Sequence, residues 1–191
     1  MGRHFEIVRG HHIRNKYMMK QPYHDTSQYP FVKVFEDNWD IINREFLRVH
    51  KYMVAYTDAH LYNQGWEVFG LWGFRHHDKN ETMVDSEIKI NTKFCPRTAD
   101  LVRRHVPLNG SVGFSRLAAG TVIRPHTGDD FGFLRMHLGI QVPDGDIGLR
   151  VQGEDIKWQT GRAFIFDDSL LHEAWNRTDQ DRVVLILDFY P

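Results

Sequence analysis

The pattern of apolar and polar positions changes near the middle of the chain. After the turn pair Asn109-Gly110, short β-like runs alternate with turn residues, at 111–117, 120–124, 133–142, 147–151, 163–166 and 183–189. Short strands at such close spacing are typical of a β-sandwich or β-barrel and not of alternating βα units. The second half of the chain is therefore predicted to be β-barrel-like.

Helical periodicity is confined to the first half. Apolar residues recur at steps of three and four on one helical face: Trp39, Ile42, Phe46, Val49 and Met53. Asp37 or Asn38 could cap this helix, which we expect to lie against a sheet. Residues 65–74 mix aromatics with glycines and suit a strand, whereas Pro96 predicts the start of a second helix over 96–105. The first thirty residues have no sustained period and are interpreted as an arm or irregular packing segment.

Length and composition fit one compact domain. The chain has 191 residues, of which 41% are hydrophobic, and this is enough to bury a core. No long linker divides it. We expect a single domain over 1–191, with an arm, helices and supporting strands in 1–110 and the β-core in 111–191.

Charge and cysteine content narrow the classes of function. The formal net charge is −1, so generic binding to nucleic acid or another polyanion is not expected. The longest aliphatic run, 183–187, is far shorter than the ~18 residues that span a bilayer. The first residues lack the apolar stretch of a signal peptide, and the single cysteine, Cys95, has no partner for an internal disulfide. These features predict a cytoplasmic protein without a membrane span.

The run over 133–142 carries the first candidate chemistry. Apolar residues occupy its even positions and must face a core, so Arg135 and His137 share the opposite face of the strand. A guanidinium and an imidazole side by side suit a carboxylate or another anion. Taken alone, this run fits a solvated outer face equally well.

Twelve histidines against one cysteine raise the question of metal binding. His126 precedes the same strand and His172 follows it, so separate strands of one barrel could bring both to one metal. Imidazole suits iron or zinc. The spacing alone does not distinguish this pair from ordinary core or surface histidines. The doublets His11-His12 and His76-His77 are expected in exposed loops, because adjacent side chains diverge on a strand.

Several separated motifs together resemble a known family. They are Ser115, Pro125-His126-Thr127-Gly128, Leu134-Arg135-Met136-His137-Leu138-Gly139, Ile165-Phe166-Asp167-Asp168-Ser169, His172-Glu173 with Trp175, Arg182 and Asp188. In order and spacing, residues 111–191 are similar to the aspartyl/asparaginyl β-hydroxylase family of ferrous, 2-oxoglutarate-dependent oxygenases. Residues 65–72 extend the resemblance weakly, and the first sixty residues show none.

The resemblance implies a fold and an activity. The fold would be mainly β with flanking helices, built as a double-stranded β-helix, also called a jelly-roll or cupin-like barrel. The activity would be hydroxylation of an unactivated C–H bond, with Fe(II), 2-oxoglutarate and O2 as cofactor and cosubstrates and with release of succinate and CO2.

The resemblance also implies a site for the cosubstrate. Arg135 and His137 would hold the 2-oxoglutarate carboxylate nearest to the metal. Ser115 and Arg182 match the positions that hold its distal carboxylate.

The implied metal site has two histidine ligands, His126 and His172. Most related oxygenases add a carboxylate two positions after the first histidine, but here that position is Gly128, as is typical of the resembled family. Asp168 matches a position that helps to order water in its place. Asp129 or Asp130 could instead reach the iron directly, although their spacing is not that of the usual triad. Because an open position also resembles that of iron halogenases, halogenation is kept as an alternative.

Position 133 differs from the resembled peptidyl hydroxylases, which have an arginine there that grips a substrate carboxylate. Strand alternation points Phe133 into the same site, so an acidic side chain should bind less well. We expect a less acidic amino acid or peptide residue, a related small molecule, or an acyl chain. Four arginines could instead restore a carboxylate contact: Arg75, Arg116, Arg124 and Arg150.

A non-catalytic jelly-roll binding module is the alternative from a different class. Both histidines and both basic cosubstrate positions are retained, and a decayed site should have lost at least one of them. The sequence therefore favours the enzyme.

Overall fold

The computed structural model of the protein describes residues 20–73, 90–106 and 109–191. Within these ranges two antiparallel β-sheets face each other, and helices cover the outer face of the larger sheet. In chain order the strands are β1 (Tyr23–His24), β2 (Val54–Ala55), β3 (Trp66–Trp72), β4 (Asn109–Leu117), β5 (Thr121–His126), β6 (Leu134–Gln141), β7 (Ile147–Val151), β8 (Glu154–Ile156), β9 (Ala163–Phe166), β10 (His172–Asn176) and β11 (Arg182–Phe189).

The chain crosses repeatedly between the two sheets. The larger has seven strands in the order β1-β9-β6-β11-β4-β3-β2, and the smaller has four in the order β5-β10-β7-β8. Every neighbouring pair is antiparallel. Because β1, β2 and β3 belong to the larger sheet, residues before position 110 help to build the main sheet. The division of the domain at residue 110 stays a prediction.

Three α-helices of the described ranges are α1 (Phe31–Asp37), α2 (Trp39–Val49) and α3 (Pro96–His105), and residues 90–94 are also helical. The expected face of α2 is confirmed, since Ile42, Phe46 and Val49 are buried against the larger sheet. Asn38 stands at the start of α2, but its side chain donates to the Val34 carbonyl at 2.8 Å and does not cap the helix. None of the described helices is long and apolar enough to cross a bilayer.

Two cores stabilise the fold through the alternation of the central strands. In β6, Leu134, Met136 and Leu138 pack toward the helices. A second core lies between the sheets and joins Leu117 and Val184 of the larger sheet to Leu149 of the smaller. Two facing antiparallel sheets with strands that cross between them form a jelly roll. The expected mainly-β fold with flanking helices is confirmed.

Most of the strands expected from the sequence are present. The ranges 147–151 and 163–166 coincide with β7 and β9, and helix α3 also has its expected bounds. The short strands β1, β2 and β8 and the strand β10 were not expected as strands. In β10 the run His-Glu-Ala-Trp-Asn alternates only weakly, because polar residues such as His172 and Asn176 are buried there.

The alternation of β6 breaks near its end. Val184 of β11 pairs with Gly139, but its neighbour Val183 pairs with Gln141, so the register shifts by one residue. This irregularity turns Gln141 toward α2, where its amide donates to Asn43 at 3.1 Å. The sequence had placed Gln141 on the same face as Arg135. A β-bulge, which sequence alternation does not reveal, accounts for the difference.

A buried carboxylate caps helix α3. Glu45 of α2 is 3% exposed, and its two oxygens accept the backbone N–H groups of Arg97 and Thr98, each at 2.8 Å. It also accepts the Thr98 hydroxyl at 2.7 Å. Cys95, the residue at the N-cap position, provides no side-chain bond. A carboxylate here satisfies N-terminal N–H groups of α3 and complements the helix dipole.

Glu45→Gln should therefore destabilise the protein by about 1–3 kcal/mol, because one buried acceptor becomes a donor that faces other donors. The free energy of unfolding in urea measures this. Asp40→Asn is a matched control on the same helix, since Asp40 pairs with Arg44 at the exposed surface and should cost well under ~1 kcal/mol. Equal effects of the two substitutions would contradict the capping role.

Candidate active site

His126 and His172 lie opposite each other on adjacent strands of the smaller sheet. His126 ends β5, His172 begins β10, and the two residues are paired in the ladder. Their ring centroids are 4.2 Å apart. The structure thus brings together the two histidines that the sequence suggested as metal ligands, and their role as ligands stays a prediction.

Backbone carbonyls fix the orientation of both rings. His126 Nδ1 lies 2.8 Å from the Arg124 carbonyl oxygen, and His172 Nδ1 lies 2.8 Å from the Leu170 carbonyl oxygen. A carbonyl only accepts, so each Nδ1 donates its proton, and Nε2 is the nitrogen that is left for another contact. Burial lowers the pKa of His172, although the charge of Asp168 acts in the opposite direction. The lowered pKa favours the neutral ring. Histidines that bind a metal through one ring nitrogen typically donate the other ring N–H to a carbonyl or carboxylate in this way.

Asp168 takes the space that a side chain at position 128 would need. A Cβ built on Gly128 would lie 2.0 Å from Asp168 Oδ2, and the Gly128 N–H donates to the Asp168 carbonyl at 2.9 Å. Asp168 Oδ1 is 3.3 Å from His172 Nε2. The carboxylate near the histidines is therefore supplied from the segment before β10 instead of from position 128.

The neighbouring aspartates do not complete a cluster of ligands. Asp130 pairs with Lys20 at 2.9 Å on the exposed surface. In the part of the chain that the structure describes, no group of three or more His, Cys, Asp or Glu side chains is arranged to hold a metal ion. What lies together here is the histidine pair, with the Asp168 carboxylate 3.3 Å from His172 Nε2.

Arg135 is held between two carboxylates. Its Nε and Nη2 bind both oxygens of Asp188 at 2.6 and 2.8 Å, and its Nη1 donates to Asp168 at 2.6 Å. Burial alone lowers the pKa of Arg135, but the two carboxylates outweigh burial and hold it above its usual value. Arg135 lies on the expected face of β6 and already has protein partners. Its role as a cosubstrate contact stays a prediction.

His137 presents a donor with no protein partner. Trp158 Nε1 donates to His137 Nδ1 at 3.1 Å, so the proton of the neutral ring must reside on Nε2. That Nε2 is buried and has no hydrogen-bond partner among the described residues. Burial, reinforced by the charges of Arg182 and Arg135, holds the pKa of His137 well below its usual range. The ring is therefore a neutral donor.

Arg182 is a buried cation without a carboxylate. It is 2% exposed, its Nη1 donates to the Ser115 carbonyl at 3.4 Å, and its Nε has no partner within the described ranges. Burial lowers the pKa of its guanidinium. The Ser115 hydroxyl accepts from Trp66 Nε1 at 3.1 Å. The buried charge of Arg182 and the buried His137 Nε2–H both reduce stability unless an anion binds to them. A carboxylate can accept hydrogen bonds from both groups.

Two residues of this arrangement had no role in the sequence analysis. Asp188 was noted in a motif only, and its ion pair with Arg135 follows from the register of β6 and β11, in which the two residues are partners. Trp158 lies between β8 and β9 and contacts both His137 and Arg182. No periodicity or spacing distinguishes Trp158 from the other tryptophans.

Three of the four additional arginines are engaged elsewhere. Arg116 pairs with Glu67 and Asp181, Arg150 pairs with Asp155 and Glu173, and Arg124 donates to the His60 carbonyl. Arg75 and the doublets His11-His12 and His76-His77 lie outside the described residues.

Comparison with known proteins identifies the family. A family model described as Aspartyl/Asparaginyl beta-hydroxylase matches residues 36–191. The chain belongs to this family. The match begins within α1, so the expectation that the first sixty residues carry no family likeness was wrong. The part of the chain that matches the family therefore includes helix α2 and the strands β2 and β3 as well as the β-core.

Two curated relatives and one solved structure illustrate the range. The chain is 34% identical over 179 residues to the ornithine lipid ester-linked acyl 2-hydroxylase of Rhizobium tropici, a match that covers 88% of this chain and 60% of that protein. It is 32% identical over 174 residues to the aspartyl/asparaginyl beta-hydroxylase of Mus musculus, covering 87% of this chain but 22% of the relative. A Pseudomonas putida prolyl-4-hydroxylase shares the fold, with a TM-score of 0.51 at 13% identity over 80% of this chain and 86% of that one.

The contact between Gly128 and Asp168 predicts that substitutions at these two positions have non-additive effects on the free energy of unfolding. Gly128→Ala should destabilise the protein by about 1–3 kcal/mol, because its methyl group would overlap the Asp168 carboxylate. In the double variant with Asp168→Ala this overlap is relieved, so the combined loss should be smaller than the sum. Urea unfolding of the four proteins measures the coupling.

The control cycle combines Gly128→Ala with Asp40→Ala, whose carboxylate pairs with Arg44 at the exposed surface of α2. These two effects should add within ~0.5 kcal/mol. Additive behaviour in the Gly128 and Asp168 cycle would contradict the close packing.

Proposed function

We propose that the protein is an Fe(II)- and 2-oxoglutarate-dependent dioxygenase that hydroxylates an unactivated C–H bond. The observation that carries this proposal is that two groups of side chains lie next to each other, with Phe166 in contact with His172 of the first and His137 of the second. The rings of His126 and His172 lie 4.2 Å apart with each Nδ1 turned to a backbone carbonyl, so each neutral ring would offer its Nε2 lone pair to a metal. Buried donors without partners, on His137 and Arg182, supply complementary sites for a dicarboxylate. Membership of a hydroxylase family supports the same activity.

The side chains have separate tasks under this proposal. His126 and His172 hold the metal, and Asp168 lies beside them to orient a bound water. His137 and Arg135 face the carboxylate nearest to the metal, and Arg182 with Ser115 binds the distal one. When bound, Fe(II), 2-oxoglutarate and O2 supply the oxidising chemistry, with succinate and CO2 as products.

Aromatic rings pack around His137 and His172. Phe166 lies edge-on to His137, with ring centroids 5.0 Å apart, and also packs against His172 at 5.7 Å. Phe164 lies 5.7 Å from His137. Exclusion of water strengthens every charged contact in the site and protects reactive species from side reactions.

Apolar side chains favour a substrate of low charge. Phe133 packs against Tyr190 in a tilted arrangement, with ring centroids 4.1 Å apart. Gly110 lies between the Phe133 ring and the Cβ of Asp188, the partner of Arg135. Leu171, next to His172, is half exposed. The R. tropici relative is named for an acyl substrate. We therefore propose an acyl chain, or a less acidic amino acid or peptide residue, in preference to peptidyl aspartate.

Two alternatives lead to different outcomes. Halogenation needs room for halide beside the metal, and the negative Asp168 carboxylate next to Gly128 disfavours an anion there. A binding module without turnover would keep the fold but needs neither the histidine pair nor the unpartnered donors. Both alternatives are therefore less well supported than hydroxylation.

The activity is tested with the wild-type protein and ferrous iron under anaerobic conditions. Addition of 2-oxoglutarate should produce a weak visible charge-transfer band, and air should then release succinate with acyl, peptide or amino-acid substrates. His126→Ala and His172→Ala should abolish the band, because each removes one metal ligand. His50→Ala, a surface histidine, is the control.

A wild-type protein that gives neither the band nor succinate would support the binding module. A product that carries halogen in place of hydroxyl would support the halogenase.

Phe133→Arg tests the proposed substrate class. A cation at this position should increase succinate release with peptidyl aspartate by about tenfold or more, since it offers a charged hydrogen bond to the acidic side chain. Release with an acyl substrate should fall. The same substitution at Phe94, an exposed aromatic residue in the helical region, should leave the preference unchanged. An unchanged preference in Phe133→Arg would contradict an apolar substrate contact at this position.

A further inference from the structure

Trp158 contacts both His137 and Arg182. Its indole N–H donates to His137 Nδ1 at 3.1 Å, and the Cζ of Arg182 lies over its ring at 4.6 Å. The side chain is 3% exposed and belongs to the core between the two sheets. One residue thus links the neutral donor of β6 to the buried cation of β11.

The hydrogen bond determines which nitrogen of His137 can donate. An indole N–H only donates, so Nδ1 must accept and Nε2 must carry the proton. If Trp158 did not donate, the proton could move to Nδ1 and leave a lone pair on Nε2. That lone pair would repel a carboxylate oxygen, whereas the Nε2–H attracts it.

The indole ring supports the buried Arg182 guanidinium from one side. A cation over the face of a tryptophan gains electrostatic attraction, and this gain increases when both groups are out of water. It keeps the guanidinium in place without a protein carboxylate. A carboxylate partner would neutralise the charge and compete with an incoming anion, but an aromatic face does neither.

The backbone around Trp158 is built for close approach to β6. A Cβ on Gly139 would lie 2.1 Å from the Gln159 carbonyl oxygen. Gly139 also donates to the Arg162 carbonyl at 3.0 Å and accepts from the Gly161 N–H at 2.9 Å. The absence of a side chain at Gly139 therefore lets the segment after Trp158 pack against β6, two residues from His137.

We propose that Trp158 is a positioning residue that prepares His137 as an Nε2–H donor and Arg182 as an unneutralised cation for the carboxylates of the cosubstrate. This inference rests on the proposed function, since it concerns the same dicarboxylate. It assigns Trp158 no contact with the metal or with the reacting carbon. Its effect should therefore fall on cosubstrate binding and leave metal binding intact.

Two substitutions separate the contributions of the indole. Trp158→Phe keeps an aromatic face below Arg182 and removes the N–H, and Trp158→Leu removes both. Trp175→Phe is the matched control. The Trp175 N–H donates to Asp146 at 2.7 Å, and the Arg177 guanidinium lies over its ring. Trp175 lies on the half-buried face of β10, opposite to the face that carries His172.

Calorimetry under anaerobic conditions measures 2-oxoglutarate binding to the iron-loaded proteins. Trp158→Phe should raise the Kd for 2-oxoglutarate by about tenfold, the size of one lost hydrogen-bond contribution, and Trp158→Leu should raise it further. The iron affinity of both variants and both affinities of Trp175→Phe should match the wild type. A wild-type Kd for 2-oxoglutarate in Trp158→Phe, or an equal loss of iron affinity, would overturn the proposal.

Nitrogen-15 NMR of the histidine rings tests the proposed tautomer without the metal or the variants' activity. The wild-type His137 signals, assigned by their loss in His137→Asn, should report the Nε2–H tautomer, and Trp158→Phe should show a mixture. An Nδ1–H tautomer in the wild type would overturn the proposal even if the variants fail to fold. Failure of the wild type to bind 2-oxoglutarate would instead refute the proposed function and the identity of the anion, while the tautomer still decides how Trp158 acts on His137.

Discussion

The chain of ion pairs from Asp188 through Arg135 to Asp168 holds together the end of the barrel that carries His126 and His172. It connects β11, β6 and the segment before β10, and its last carboxylate lies against Gly128 and His172. Removal of one member of a buried ion pair typically costs about 3–5 kcal/mol, because the remaining charge is left without compensation. The geometry of the histidine pair thus depends on a guanidinium that touches neither histidine in the hydrogen-bond network. Asp168 transmits the position of β6 to His172.

The larger sheet separates stability from chemistry by the alternation of its strands. In β11, Val183, Leu185 and Leu187 pack toward the helices, and the intervening residues Val184 and Ile186 pack into the second core between the sheets. By the alternation of the strand, Arg182 and Asp188 lie on this second face, at its two ends. The helix-side core can therefore stabilise the sheet with apolar contacts alone, and the opposite face can carry charged groups at its ends that would be costly without that support. The cost is reduced further where charges are paired, as they are at Asp188.

Local pattern predicted those parts of the site that depend on one strand. The alternation of β6 placed Arg135 and His137 together because one side of the strand is apolar and the other is polar. In β11 the apolar run gave no such contrast, since both faces are buried, and the orientation of Asp188 could not be read from it. Contacts between distant segments were also invisible: Trp158 reaches His137 through a loop, and a bulge turns Gln141 to the helix side. The family resemblance supplied the histidine pair, for which spacing alone was insufficient.

Under the proposed function, the distribution of charge in the site favours one orientation of the dicarboxylate. Arg135 is balanced by two carboxylates, so the region near His172 carries no excess positive charge from the protein. Arg182 has no carboxylate among the described residues and is supported by the face of Trp158. Electrostatic attraction from side chains is therefore concentrated at the end away from the histidines. Under the proposed function, a divalent cation held by the histidines supplies the positive charge missing at the near end. The protein alone would then bind one carboxylate firmly and leave the other to depend on the metal, which predisposes the cosubstrate to bind in a single direction.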